Sequence, residues 1–284
     1  NPYFFDINRF SLPLDKQGLA KFHDENGDGL YDPCTGDYPT IDIKGCNSPV
    51  YPDQMIFWIY NDNGGVHTQS ARSVAVQMEI QVQAFAYKTN DELNDMTFQR
   101  YKLINRAKTD IDSTFFAMWI DFDLGCYTDD YIGCDTTRSL GYCYNQKELD
   151  GTTGCICDQA VATYCDRIPI IGVDYFRGPN DEFGRELGMS SFTYYNNGVG
   201  VGNPAAGTTD PATATEYYNY ISGSWKDGTP FTFGGSGYSP NTPGKKVKYA
   251  FTDAPDNVSG WSMYSQGLPA GDRRIIQASG PFKL

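Results

Sequence analysis

Between Ser73 and Tyr87 the apolar residues Val74, Val76, Met78, Ile80, Val82, Ala84 and Ala86 alternate with Ser73, Gln77, Glu79, Gln81 and Gln83. A period of two puts every one of those apolar side chains on one face of an extended chain, which a helix cannot do. The chain must therefore bury one face of a β-sheet. Met55–Tyr60 is a second strand, a short apolar run closed by the turn-forming Asn61-Asp62-Asn63-Gly64-Gly65. Thr97–Asn105 and Ser113–Phe122 follow, the latter apolar on both faces as in a sandwich interior, and residues 105–110 read as the hairpin loop between them. Ile168–Phe176, Ser191–Tyr195, Val247–Phe251 and Arg274–Ala278 are shorter candidates.

With 30 Gly and 16 Pro in 284 residues, many turns and few long helices are expected. One short accessory helix is predicted, capped by Asp210 with Pro211 at its first position and ending near Gly223. The fold class that follows is all-β, sandwich-based, with long Cys-rich and Gly/Pro-rich loops. Residues 1–54 read as an irregular N-terminal segment punctuated by prolines. Residues 55–284 read as the sandwich-like domain, with a cysteine-rich insertion at 124–166 decorating one end. The chain opens at Asn1 without a basic and apolar leader, so it is expected to be a mature or trimmed product.

Charge narrows the partners. Against 22 Lys+Arg stand 35 Asp+Glu, a net charge of −13, so nucleic acid and anionic lipid would be repelled. The longest apolar run, Phe115–Ile120, is too short to span a membrane. The composition, 40 % hydrophobic and 15 % aromatic, is that of a folded protein with a sizeable core.

Eight cysteines, Cys34, Cys46, Cys126, Cys134, Cys143, Cys155, Cys157 and Cys165, sit in an acidic, turn-rich chain. An oxidising, extracellular or outer-surface location with a disulfide framework is expected. No C-x-x-C occurs, and neither His23 nor His67 has finger spacing to a cysteine pair, which counts against zinc. Closeness in sequence favours Cys34 with Cys46 and Cys126 with Cys134, leaving four cysteines to pair within 143–165.

The most specific motif is Asp24-Glu25-Asn26-Gly27-Asp28-Gly29-Leu30-Tyr31-Asp32. It offers side-chain oxygens of Asp24, Asn26, Asp28 and Asp32 and the Leu30 carbonyl at the positions of a calcium loop, with Gly29 at the sharp turn. Thr35 stands where an EF-hand needs a bidentate Glu, so the expectation is a short calcium loop of the extracellular-repeat kind. A second acidic cluster, Asp121, Asp123, Asp129, Asp130 and Asp135, brackets Cys126 and Cys134. Crowded carboxylates require a cation or repel, which makes calcium the expected cofactor there too.

Catalytic signatures are absent from the sequence: no H-E-x-x-H, no G-x-S-x-G, no Walker loop, and a GVGVG at 198–202 that does not lead from strand to helix. His23 and His67 are read as exposed residues, and Tyr217, Tyr218 and Tyr220 as docking the helix to a sheet. A glycosidase would need two facing carboxylates, and an acidic, aromatic chain would suit sugar stacking, so a carbohydrate-binding or carbohydrate-active module is the alternative. Asn257-Val258-Ser259 is a three-residue sequon to which no role is given.

Four blocks, Tyr101–Asn145, GVDYFRGP at 172–179, WKDGTPFTFGGSGY at 225–238 and DRRIIQASGPFKL at 272–284, together resemble the large secreted surface proteins of Bacteroidetes that carry a C-terminal type IX sorting domain. That resemblance implies export by the type IX machinery and display at, or release from, the outer surface as one segment of a longer protein. It also implies O-glycosylation at Asp112-Ser113-Thr114 and Asp135-Thr136-Thr137. The resulting expectation is a calcium- and disulfide-stabilised structural or adhesive segment without catalytic residues. Its partners would be other copies, other surface proteins or polysaccharide.

Overall fold

The computed structural model describes residues 20–41, 51–67, 73–158, 161–197 and 202–284. Contacts divide the chain into two compact units, Asn1–Gly64 with Val76–Ala107, and Gly65–Ala75 with Lys108–Leu284. The strand expected at 55–60 falls in one unit with residues 76–107 and with the described N-terminal residues 20–41.

In the first unit a two-residue pair, β1 (Phe22–His23) and β2 (Tyr38–Pro39), precedes an antiparallel meander of β3 (Gln54–Asn61), β4 (Met78–Ala86) and β5 (Thr97–Asn105). The register sets Trp58 opposite Val82 and Val82 opposite Tyr101, so the even-numbered apolar residues of β4 share a face with β3 aromatics. Val82 is fully buried there, whereas Ile56, Trp58 and Tyr60 remain exposed. On the opposite face Phe85 stacks on Phe98 with centroids 5.3 Å apart, and Gln83 Nε2 donates to the Thr40 carbonyl at 3.4 Å, tying the N-terminal residues to this sheet.

The alternation from Ser73 overstates β4, which starts at Met78. Gln77 takes a left-handed φ of 61°, and the Asp62 carboxylate accepts the backbone N–H groups of Val76 and Met78, so the chain turns before the ladder begins. Val74 and Val76 are left exposed.

The second unit holds two three-stranded antiparallel sheets. β6 (Thr114–Asp121), β10 (Ser191–Asn196) and β11 (Arg273–Phe282) pair in the order β10-β11-β6; β7 (Asp130–Asp135), β8 (Leu140–Asn145) and β9 (Ile171–Asp174) pair in sequence order. The expected hairpin between β5 and β6 does not form. β5 pairs with β4 and β6 with the last strand, Ile275 facing Ile120 and Ala278 facing Ala117. The most C-terminal strand is therefore central, and a local loop reading could not have found its partner. Gly141 on β8 lets the two sheets meet, since a Cβ there would lie 2.7 Å from the Phe192 ring and 3.2 Å from Ile275.

Residues 225–270 carry little regular structure yet supply much of this core. Trp225 stacks on Phe231 at 4.1 Å, Tyr194 meets Trp225 edge-on, and the indole N–H groups of Trp225 and Trp261 reach the carbonyls of Gly237 and Gly235. Val247–Phe251 is not a strand; it runs beside β10 through one parallel bridge, Phe192 with Tyr249. The helix α1 (Ala214–Ile221) begins later than Asp210-Pro211 predicts. Its cap is Thr213, whose hydroxyl accepts from Glu216 N–H while Glu216 accepts from Thr213 N–H, a reciprocal box stronger than a lone Asp cap. Tyr220 buries against the sheet as expected, and Tyr217 and Tyr218 stay exposed. No helix among the described residues is long and apolar enough to cross a membrane.

Candidate metal centres

In the first acidic motif the side chains turn onto their own loop. Asp24 Oδ1 accepts from Gly27 N–H at 2.7 Å and Asp28 N–H at 3.2 Å, and its Oδ2 accepts from Gly29 N–H at 2.7 Å. Asn26 Oδ1 accepts from Asp28 N–H, Asp28 Oδ1 from Leu30 N–H, and Asp32 Oδ1 from Cys34 N–H. Gly27 and Gly29 adopt φ of 73° and 76°, conformations that glycine allows without strain. Asp37, which the motif spacing did not reveal, closes the loop. It is buried, and its carboxylate accepts the N–H groups of Glu25 and Asp32, which hold it below the usual carboxylate range.

The five carboxylates of the second acidic cluster occupy three different places. Asp121 and Asp123 lie with Asp272, one oxygen of each within 4.8 Å of the others, and Arg274 pairs with both Asp121 and Asp272. One guanidinium thus offsets part of the charge of this group. Asp135 caps the turn after β7, accepting from the Thr137 hydroxyl and N–H and pairing with Arg138.

Asp129 and Asp130 are buried, and the structure adds Asp150, at 0 % exposure, to them. Asp129 Oδ2 accepts from Gly151 N–H at 2.8 Å, while Asp150 receives the N–H groups of Cys126 at 2.7 Å and Tyr164 at 2.5 Å. Asp130 Oδ2 accepts from Leu124 N–H at 3.0 Å. The Oδ1 atoms of Asp129 and Asp130 have no hydrogen-bond partner. Burial, opposed by these N–H donors, raises the carboxyls of both, Asp130 to about 8. Asp150 was missed because it lies far along the chain from Asp129 within Leu149-Asp150-Gly151, and an Asp-Gly pair in a loop reads as an ordinary turn.

The cysteine pairing corrects the expectation from closeness. Cys126 bonds Cys157 and Cys155 bonds Cys165. Cys134 and Cys143 are buried free thiols: β7–β8 register places Cys134 opposite Gly141 and Cys143 opposite Ile132, and the Cys134 thiol donates to the Ala250 carbonyl. Burial pushes both thiols well up from their ordinary value. Cys34 is exposed and free, and its expected partner Cys46 lies outside the described residues.

The histidines are placed by their neighbours. His23 stacks on Tyr38 at 4.7 Å and bonds Glu25, and His67 Nδ1 lies 3.4 Å from the Ser73 hydroxyl across an antiparallel bridge. Gly198 and Gly200 of the glycine-rich GVGVG lie outside the described residues. Compared with known proteins, the chain matches no protein-family model, no curated protein and no solved structure.

Proposed function

We propose that this chain is a non-catalytic structural or adhesive segment of a secreted cell-surface protein or filament, a β-sandwich-based module stapled by disulfides and calcium. One observation carries the reading: two disulfides, Cys126–Cys157 and Cys155–Cys165, lock the stretch that holds three buried aspartates. Disulfides persist in oxidising compartments, and ions that bind only the folded chain stabilise it by mass action. The Asp24–Asp32 loop is read as the first calcium staple, its backbone N–H groups already orienting Asp24, Asn26 and Asp28. The resemblance to type IX-exported Bacteroidetes surface proteins agrees with display outside the cell.

Protease shaving of intact producing cells, followed by non-reducing peptide mapping, tests this. Shaved fragments carrying the two linked cysteine pairs are expected; a protected, fully reduced protein would overturn the reading.

A second reading, carbohydrate binding, has its own observation. On one face of the meander Ile56, Trp58 and Tyr60 are exposed, with Tyr101 beside Val82 in register. Aromatic side chains in such a row offer flat apolar surfaces to sugar rings. Affinity electrophoresis in polysaccharide gels separates the readings: retardation lost in W58A favours sugar, and unchanged mobility in every gel removes it.

A further inference from the structure

We propose that Asp129 and Asp150, with the hydroxyls of Thr128 and Thr152, form a second site for one hard divalent cation, calcium by its donor chemistry, folded behind the Cys126–Cys157 disulfide. The proposal rests on the reading of this chain as a cation-stapled module, and it assigns a centre whose residues are separated in sequence.

Three observations support it. The first is convergence: one oxygen of Asp129, one of Asp150 and Cys126 Sγ lie within 4.8 Å of one another, and the Thr128 and Thr152 hydroxyls stand 3.4 and 3.8 Å from the same sulfur. That sulfur is bound to Cys157 and offers no thiolate, so the donors left are all oxygen. Such a set suits a hard cation and not zinc or copper.

The second is an orphaned atom. Asp129 is 2 % exposed, and its Oδ1 has no hydrogen-bond partner although Oδ2 is held by Gly151. Neither Asp129 nor Asp150 forms an ion pair among the described residues, and Asp130 places a further carboxylate next to Asp129. A buried carboxylate oxygen that no donor reaches is costly unless a cation meets it. Both Asp150 oxygens take backbone N–H groups. A cation can share those oxygens through their remaining lone pairs.

The third is rigidity. Gly125 takes φ of 65°, and a Cβ there would lie 1.9 Å from Asp150 Oδ2; a Cβ on Gly151 would lie 2.4 Å from the Gly154 carbonyl. Asp150 is fully buried against Gly125 with both oxygens held by backbone N–H groups. Cation binding would thus meet Asp150 already in place.

Calcium stoichiometry by equilibrium dialysis of the folded, oxidised protein tests the site in four forms: the natural sequence, D24N/D28N, D129N and D150N. One equivalent is expected to vanish in D129N and in D150N and to survive in D24N/D28N. Equal stoichiometry in D129N and the natural sequence would overturn the proposal, whereas no loss in D24N/D28N would strike only the Asp24–Asp32 loop. Should D129N and D150N not fold, the D24N/D28N protein decides alone: terbium emission sensitised by neighbouring tyrosines should saturate at one equivalent, and calcium should raise its melting temperature by about 5 °C over chelator. No sensitised emission and no shift would overturn the site.

Discussion

The Thr137 hydroxyl donates to Asp135 Oδ1 at 2.6 Å, and with Arg138 and two backbone N–H groups it pulls the Asp135 carboxyl down to about 2. A depressed carboxyl stabilises the fold above its unfolded value near 3.8, and that contribution is lost as pH falls toward 2. NMR titration of the Asp135 side-chain carbon should therefore show a midpoint near 2, moving upward in T137A; a midpoint unchanged by T137A would show that the hydroxyl is not the cause. Gly125 is the second decisive residue. Its left-handed φ and its approach to Asp150 leave no room for a methyl group, so G125A should cost about 2 kcal/mol or more in urea unfolding. The same residue scale explains why Asp37 and Asp150 escaped the motif reading. Each is held by backbone N–H groups from elsewhere in the chain, and no local spacing records which donor a carboxylate will meet.

Among the elements, β5 follows its sequence signal from end to end, because Thr97–Asn105 is bounded on both sides by turn-forming residues and needs only its neighbour in the meander. β7 and β8 gave no such signal. Gly133, Cys134, Gly141 and Cys143 look like loop composition, yet each is buried: glycine admits the opposite sheet or a Tyr142 ring, and the cysteines fill small apolar gaps. The helix is set by its capping box, so T213A should lower stability by about 1 kcal/mol, read as a shift in the urea midpoint of the second unit without a change in slope. D210A should leave that midpoint in place, since Asp210 is not the cap.

At the scale of the molecule, both described disulfides fall in the Lys108–Leu284 unit. Closing a loop of 31 residues, as Cys126–Cys157 does, stabilises by about 3–4 kcal/mol on the chain-entropy view. Hydrogen exchange with and without reductant should show protection lost across residues 108–284 and retained in β3–β5; uniform loss in both units would contradict the division. What the sequence alone determined is the class of structure: alternation imposes strands and glycine and proline impose turns, because these depend on neighbours along the chain. Only the tertiary structure decided which strands pair, which cysteines bond and which aspartates meet. Cys126 finds Cys157 and Asp129 finds Asp150 because β7 and β8 form and the loop beyond β8 folds back beside them, and that depends on packing between residues remote in sequence. β11 becomes the central strand for the same reason, since its partners β6 and β10 lie far from it in sequence and are joined only through it.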